Sequence, residues 1–167
     1  MSYSLEQFAN DCQQALTADP GPGGREEVRQ FVARACKDSD FLDTHFGPEN
    51  TTERQVLYED PKLGFCILAH VHTGAKKSAP HDHASTWAIY GQASGVTMMT
   101  DWEAVERPNG DQPGKVKAVR TYKLQPGDAH VYQEGDLHSP GRDGPTRLVR
   151  IEGMNMAGVK RDSFRPI

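Results

Sequence analysis

The first part of the chain carries apolar residues at helical spacing. Over 4–16 they recur every three or four positions, and a serine followed by a glutamine three residues later begins the segment with a capping-box pattern. The prolines and glycines of 19–24 end this helix, because proline has no amide hydrogen to donate. A second amphipathic pattern ends near Asp38, and 39–47 is predicted as a connection. The pattern therefore predicts an N-terminal helical segment, 1–47, that packs on the domain that follows it.

From residue 48 onward the pattern changes to short apolar or alternating runs separated by turn residues. Such runs are typical of strands in a sandwich or barrel. We predict eight strands, at Arg54–Glu59, Phe65–Thr73, Ser85–Tyr90, Val96–Glu106, Val116–Lys123, His130–Tyr132, Asp136–Ser139 and Leu148–Met154. Eight short strands fit an all-β double-stranded β-helix, the jelly-roll barrel, over 48–167. The polar residues at 161–167 are expected to trail along the surface.

Composition and charge exclude several classes of partner. The 167 residues, with a net charge of −4 and 25% charged residues, are typical of one globular domain. No basic patch indicates nucleic-acid binding. The longest apolar run, 65–69, is far too short to cross a bilayer, and the N-terminus lacks the pattern of a signal peptide. We therefore expect a cytoplasmic protein that binds neither nucleic acid nor a membrane. Its three cysteines are predicted to be reduced thiols.

Two histidines, His81 and His83, stand one residue apart in a Pro-His-Asp-His stretch. Residues at this spacing project from the same face of a strand, so both imidazoles can reach one metal ion. Neutral imidazole nitrogen suits iron, zinc, copper and nickel. A third histidine, His138, lies in the last part of the predicted barrel. Together these residues predict a metal site with three imidazole ligands and open positions for a substrate.

These motifs resemble those of the cupin superfamily. Its first motif has a His-x-His pair, then a glutamate and a glycine, and its second has a proline and a glycine followed by a histidine. The chain matches with its histidine pair, with Gly91 and with the Pro-Gly-Asp turn at 126–128. The resemblance implies the jelly-roll barrel. It leaves two candidates for the third ligand, His130 directly after the turn and His138 farther along, and we favour His138.

One departure from the cupin pattern narrows the resemblance. Trp87 and Ala88 stand where the glutamate would be, which leaves a set of three histidines. Over about 54–152 this arrangement resembles the thiol dioxygenase branch, that is, cysteine dioxygenase and its relatives. The resemblance implies Fe(II) as the cofactor and dioxygen as a second substrate. Zinc, nickel or manganese at the same histidines is the alternative.

The same resemblance implies residues that bind and process the substrate. The family clamps the substrate carboxylate with an arginine upstream of the histidine pair, and Arg54 stands at that distance. The Ser-x-His-x-Tyr set of the family's last strand is replaced here by Leu148, Arg150 and Glu152. We expect Arg54 and Arg150 to bind the substrate and Glu152 to act as a catalytic base. The roles of His70 and His72, on the predicted strand that precedes the Pro-His-Asp-His stretch, stay open.

The leading hypothesis is a mononuclear non-haem Fe(II) dioxygenase that acts on a small organic acid or thiol and is related to, but distinct from, cysteine dioxygenase. One alternative is a cupin isomerase, lyase or hydrolase that uses zinc, nickel or manganese. Another is a cupin that binds a ligand without catalysis. The expected partners are a small-molecule substrate and dioxygen, and the sequence leaves a homodimer open.

Overall fold

The computed structural model describes residues 2–167 and begins with three helices. These are α1 (Leu5–Ala18), α2 (Pro22–Lys37) and α3 (Ser39–His45). The capping serine of α1, Ser4, accepts a hydrogen bond from the amide of Gln7 at 3.1 Å. The connection predicted over 39–47 was wrong for most of its length. Asp38 accepts a hydrogen bond from the amide of Phe41 at 2.9 Å, and this cap begins α3.

Ten strands follow the helices and form two sheets. The strands are β1 (Gln55–Glu59), β2 (Cys66–His72), β3 (Lys76–Lys77), β4 (Ala88–Ser94), β5 (Thr97–Glu106), β6 (Gly114–Leu124), β7 (Ala129–Tyr132), β8 (Leu137–Arg142), β9 (Thr146–Glu152) and β10 (Phe164–Pro166). One sheet has the order β1-β2-β9-β4-β7, and the other has the order β10-β6-β5-β8-β3. Apart from the pairs β1-β2 and β6-β5, neighbouring strands come from distant parts of the chain, as in a double-stranded β-helix. The predicted fold class is confirmed.

Two short strands were not predicted. Lys76–Lys77 pairs with the end of β8, although its sequence has no apolar alternation. Phe164–Pro166 pairs in parallel with the start of β6, so the prediction that 161–167 trails along the surface was wrong. Phe164 is buried and packs against Val116, which holds this part of the chain on the sheet. The strand predicted from Ser85 also begins later, at Ala88.

The largest apolar core lies between the helices and the sheet that contains β2, β9 and β4. Helix α2 contributes Val28, Val32 and Ala35, all with no exposed surface, and it contacts β4, β7 and β9. The three cysteines are buried and form no disulfide. None of the described helices has the length and apolar character needed to cross a membrane.

Helix α2 packs closely against β4 at Gly91. A Cβ atom at this position would overlap the side chain of Val32 and would lie 2.7 Å from the sulfur of Cys36. Both contacts belong to the buried core, where little movement is available. Gly91 therefore allows the helix and the sheet to pack at this distance.

Replacing Gly91 with alanine should lower the free energy of unfolding by about 1–3 kcal/mol, the usual cost of overpacking a core. Chemical denaturation measures the change. Gly74→Ala is the matched control, because no atom lies within 4 Å of a Cβ built at Gly74. Equal stability of Gly91→Ala and the control would contradict this account of the packing.

Candidate metal centre

The Pro-His-Asp-His stretch forms a tight loop, so the strand alternation that was used to place both imidazoles on one face does not apply here. Only His81 makes a bridge to a neighbouring strand. After it, the side chain of Asp82 accepts a hydrogen bond from the amide of Ala84 at 3.0 Å, and Ala84 has a φ of 53°. The carbonyl of His83 accepts a hydrogen bond from the amide of Thr86 at 3.0 Å. These turns reverse the backbone before β4 begins, so an extended strand cannot form here.

Two backbone hydrogen bonds join this loop to β8. The amide of His81 donates to the carbonyl of His138 at 3.0 Å, and the amide of His138 donates to the carbonyl of His81 at 2.9 Å. This bridge brings the third histidine to the pair. The ligating nitrogens of His81, His83 and His138 all lie within 4.8 Å of one another.

Backbone carbonyls hold two of the three imidazoles in one orientation. The Nδ1 atom of His81 donates to the carbonyl of Ala79 at 2.8 Å, and that of His138 donates to the carbonyl of Asp136 at 2.9 Å. A neutral imidazole that carries its hydrogen on Nδ1 has a free lone pair on Nε2. The Nε2 atoms of His83 and His138 are only 3.2 Å apart. This is the arrangement of metal-binding histidines, in which the second nitrogen donates to a carbonyl.

Burial keeps the three imidazoles neutral. His83 and His138 have no exposed surface. Burial lowers the pKa of His81 to about 4 and holds the pKa values of His83 and His138 far below the ordinary range. Metal ions bind the neutral form of histidine. The three residues therefore fit a divalent transition-metal ion in both geometry and protonation state.

Tyr90 also lies beside the cluster, although it is not among the site residues predicted from the sequence. Its hydroxyl is 3.1 Å from Nε2 of His83 and 3.3 Å from Nε2 of His138. Burial raises the pKa of Tyr90, so the phenol stays protonated. The sequence contains one signal that Tyr90 faces the site. Tyr90 stands two residues after Ala88, one of the two residues at the place of the missing cupin glutamate, and alternate residues of a strand share a face.

His130 lies outside the cluster. Its ring stacks on Tyr122, with ring centres 5.2 Å apart, and lies 4.7 Å from the ring of Tyr132. Tyr132 in turn stacks on His138 at 4.2 Å. The structure therefore brings His138, and not His130, to the histidine pair.

The predicted substrate residues meet at one side of the histidine cluster. The guanidinium of Arg150 lies 4.2 Å from the ring centre of Tyr90. Glu152 is 1% exposed, and its carboxylate oxygens lie 3.8 Å from Arg150 and 3.2 Å from Arg54. It also accepts a hydrogen bond from the amide of Met156 at 3.1 Å. Glu152 thus links and orients the two arginines, and its role as a catalytic base stays a prediction.

A cleft with a volume of about 650 Å³ opens over this side of the cluster. His81, His70 and His72 line it, so both histidines of β2 face the same space. Its cationic residues are Arg54, Lys76, Arg142, Arg150 and Arg161, and its acidic residues are Glu53 and Asp162. Positive charge therefore dominates the cleft, which favours an anionic ligand.

No protein-family model and no curated protein matches this chain. Among solved structures, a cupin superfamily protein from Desulfitobacterium hafniense is 11% identical, with a TM-score of 0.45, over 61% of this chain and 76% of that chain. A cupin-2 domain protein from Shewanella frigidimarina is 16% identical, with a TM-score of 0.46, over 66% and 89%. An oxalate oxidase in complex with glycolate is 15% identical, with a TM-score of 0.45, over 64% and 53%.

Replacing His138 with glutamine should abolish stoichiometric metal binding, because two imidazoles remain where three are needed. His130→Gln is the matched control and should bind as much metal as the unmodified protein. Elemental analysis of the three purified proteins measures the effect. Loss of metal in His130→Gln together with its retention in His138→Gln would reverse the ligand assignment.

Proposed function

We propose that this protein is a mononuclear non-haem Fe(II) dioxygenase that acts on a small organic acid or thiol acid. The observation that carries the proposal is the meeting of three neutral imidazoles, with their ligating nitrogens within 4.8 Å of one another, beside a cleft in which positive charge dominates. An Fe(II) ion held there supplies the redox chemistry that insertion of dioxygen requires. The protein supplies the binding and orientation of the acid.

The ligand set supports an anionic substrate. Among residues 2–167, no carboxylate or thiolate joins the three histidines, and Trp87 and Ala88 stand where the cupin glutamate would be. Three neutral imidazoles leave the charge of a divalent ion uncompensated by the protein. A substrate that brings its own negative charge close to this position is therefore favoured over a neutral one.

Arg150 and Arg54 are suited to bind the carboxylate of such a substrate. Both line the cleft, and the carboxylate of Glu152 behind them restricts their movement. A guanidinium presents two parallel N–H groups to a carboxylate, which fixes the orientation of the bound acid as well as its position. Arg150 lies over the ring of Tyr90, so an acid bound to it lies next to the histidine cluster.

Tyr90 is suited to hold a proton at the reacting end of the substrate. Its phenol is fully buried and stays protonated, and its oxygen is 3.1 Å from Nε2 of His83. A protonated phenol can donate a hydrogen bond to a negatively charged atom that lies close to the histidines. In the thiol dioxygenases the Ser-x-His-x-Tyr set of the last strand handles protons, and this chain lacks that set. The Tyr90 hydroxyl takes its place.

Metal analysis and oxygen uptake test the proposal. Protein purified without added metal should contain about one iron per chain, and a panel of organic acids and thiol acids should include at least one that causes oxygen consumption. Zinc, nickel or manganese in place of iron, with no oxygen uptake, would favour a cupin isomerase, lyase or hydrolase. Ligand binding that is unchanged in His81→Ala would favour a cupin without catalysis.

Replacing Arg150 with glutamine should raise KM for the acid by about tenfold to a hundredfold, because a charge-assisted hydrogen bond to the carboxylate is lost. Glu152 keeps its partner Arg54 in this variant. Arg120→Gln is the matched control, because Arg120 pairs with Asp101 and does not line the cleft. Steady-state oxygen uptake measures both variants, and an unchanged KM in Arg150→Gln would contradict the assigned role.

A further inference from the structure

Arg142, at the end of β8, is a buried cation that the proposed function does not use. It is 2% exposed and lines the same cleft as Arg54 and Arg150. Its Nε atom is buried without a hydrogen-bond partner, and its guanidinium forms no ion pair with any described residue. A buried charge without a partner is costly, so its position in a cleft indicates a ligand that neutralises it.

The register of β8 places Arg142 in line with the histidine cluster. His138, Pro140 and Arg142 are alternate residues of this strand and therefore share one face. Four residues of a strand span about 13 Å, so the backbone of Arg142 lies beyond the cluster. Its side chain nevertheless lies close enough to Arg150 for the two charges to act on each other. Lys76, which pairs with Arg142 across β3 and β8, also lines the cleft.

The nearby acids form no ion pair with Arg142, although the charge of Glu53 acts on it from farther away. Glu53 forms an ion pair with Lys76 instead. Glu152 is engaged by Arg54 and Arg150. Burial and the neighbouring charge of Arg150 lower the pKa of Arg142 to about 10, which still leaves the guanidinium charged at neutral pH.

A neutral hydrogen-bonding group, His70, also lines the cleft, and the charges of Arg150 and Arg142 both act on it. His70 is 7% exposed, and its Nε2 atom is buried without a partner among the described residues. Burial, followed by the charge of Arg150, lowers the pKa of His70 far below its ordinary range, and the charges of Arg54 and Arg142 act in the same direction. This neutral imidazole can therefore donate a hydrogen bond to an anionic oxygen without adding charge.

We propose that Arg142 forms a second anion-binding subsite, and that the substrate is a small dicarboxylate. One carboxylate binds Arg54 and Arg150 near the histidine cluster, and the other binds Arg142 farther along the cleft. The assignment rests on the proposed function only in treating the cleft as the substrate site. One carboxylate needs only Arg54 and Arg150. A second carboxylate on the substrate explains why Arg142 is also present in the cleft, buried and without an ion-pair partner.

Calorimetric titration with two acids tests the subsite. Succinate and butyrate have the same number of carbons, but butyrate has only one carboxylate. Succinate should bind the unmodified protein about tenfold or more tighter than butyrate, since a second charged hydrogen bond is formed. Arg142→Gln should weaken succinate binding by about the same factor and leave butyrate binding within about twofold.

Two further variants complete the test. Arg107→Gln removes the same charge from an exposed position outside the cleft and should change neither affinity. Arg142→Lys keeps the charge but not the guanidinium fork, so it should lose part of the preference for succinate, and it replaces Arg142→Gln if that variant does not fold. Succinate that binds no more tightly than butyrate, or equal weakening of both acids by Arg142→Gln, would overturn the subsite.

The titration also separates this proposal from the proposed function. Succinate binding that depends on Arg142, in a protein that consumes no oxygen with any acid, would support the subsite and overturn the dioxygenase. Oxygen uptake that is equally efficient with acids bearing one or two carboxylates, and unchanged in Arg142→Gln, would support the dioxygenase and overturn the subsite.

Discussion

The two backbone hydrogen bonds between His81 and His138 hold the candidate site together. They fasten the turn that carries the histidine pair to β8, which brings a distant part of the chain to it. The two backbone positions move little relative to each other, because a shift of either segment requires the bridge to break. The carbonyls of Ala79 and Asp136 then orient the rings of the same two residues. The fold therefore builds the ligand positions without depending on flexible side chains.

The charges in the cleft follow from the same arrangement. The jelly roll places β9 beside β2 and β4, so Arg150 lies across from Leu68 and Tyr90 and next to the histidine cluster. The opposite sheet contributes Arg142 from β8, the strand that also carries His138. Positive charge from both sheets thus converges on one space. Only two acids, Glu53 and Asp162, line it, and the buried Glu152 outside the lining pairs with two of its arginines.

Much of the fold could be predicted from the sequence, because turn residues and alternating apolar runs mark the strands. The three histidines that meet could also be predicted, because a pair of histidines one residue apart is a recognisable metal-binding pattern. The short strands β3 and β10 could not be predicted. The exposed residues of β3 are held by pairing alone, and β10 is held by pairing and by the buried Phe164. Tyr90 has the appearance of a core residue on an inward strand face. Arg142 was missed because the set of charges that share a cleft depends on strand order, which local patterns do not reveal.

The central claim is that His81, His83 and His138 together hold one metal ion at the side of a cationic cleft. Anomalous X-ray diffraction from crystals of the protein as purified, measured above and below the iron absorption edge, tests it most directly. The account predicts one strong iron signal per chain among the three Nε2 atoms, within reach of the Tyr90 hydroxyl. A metal signal next to His130, with none among His81, His83 and His138, would contradict this claim.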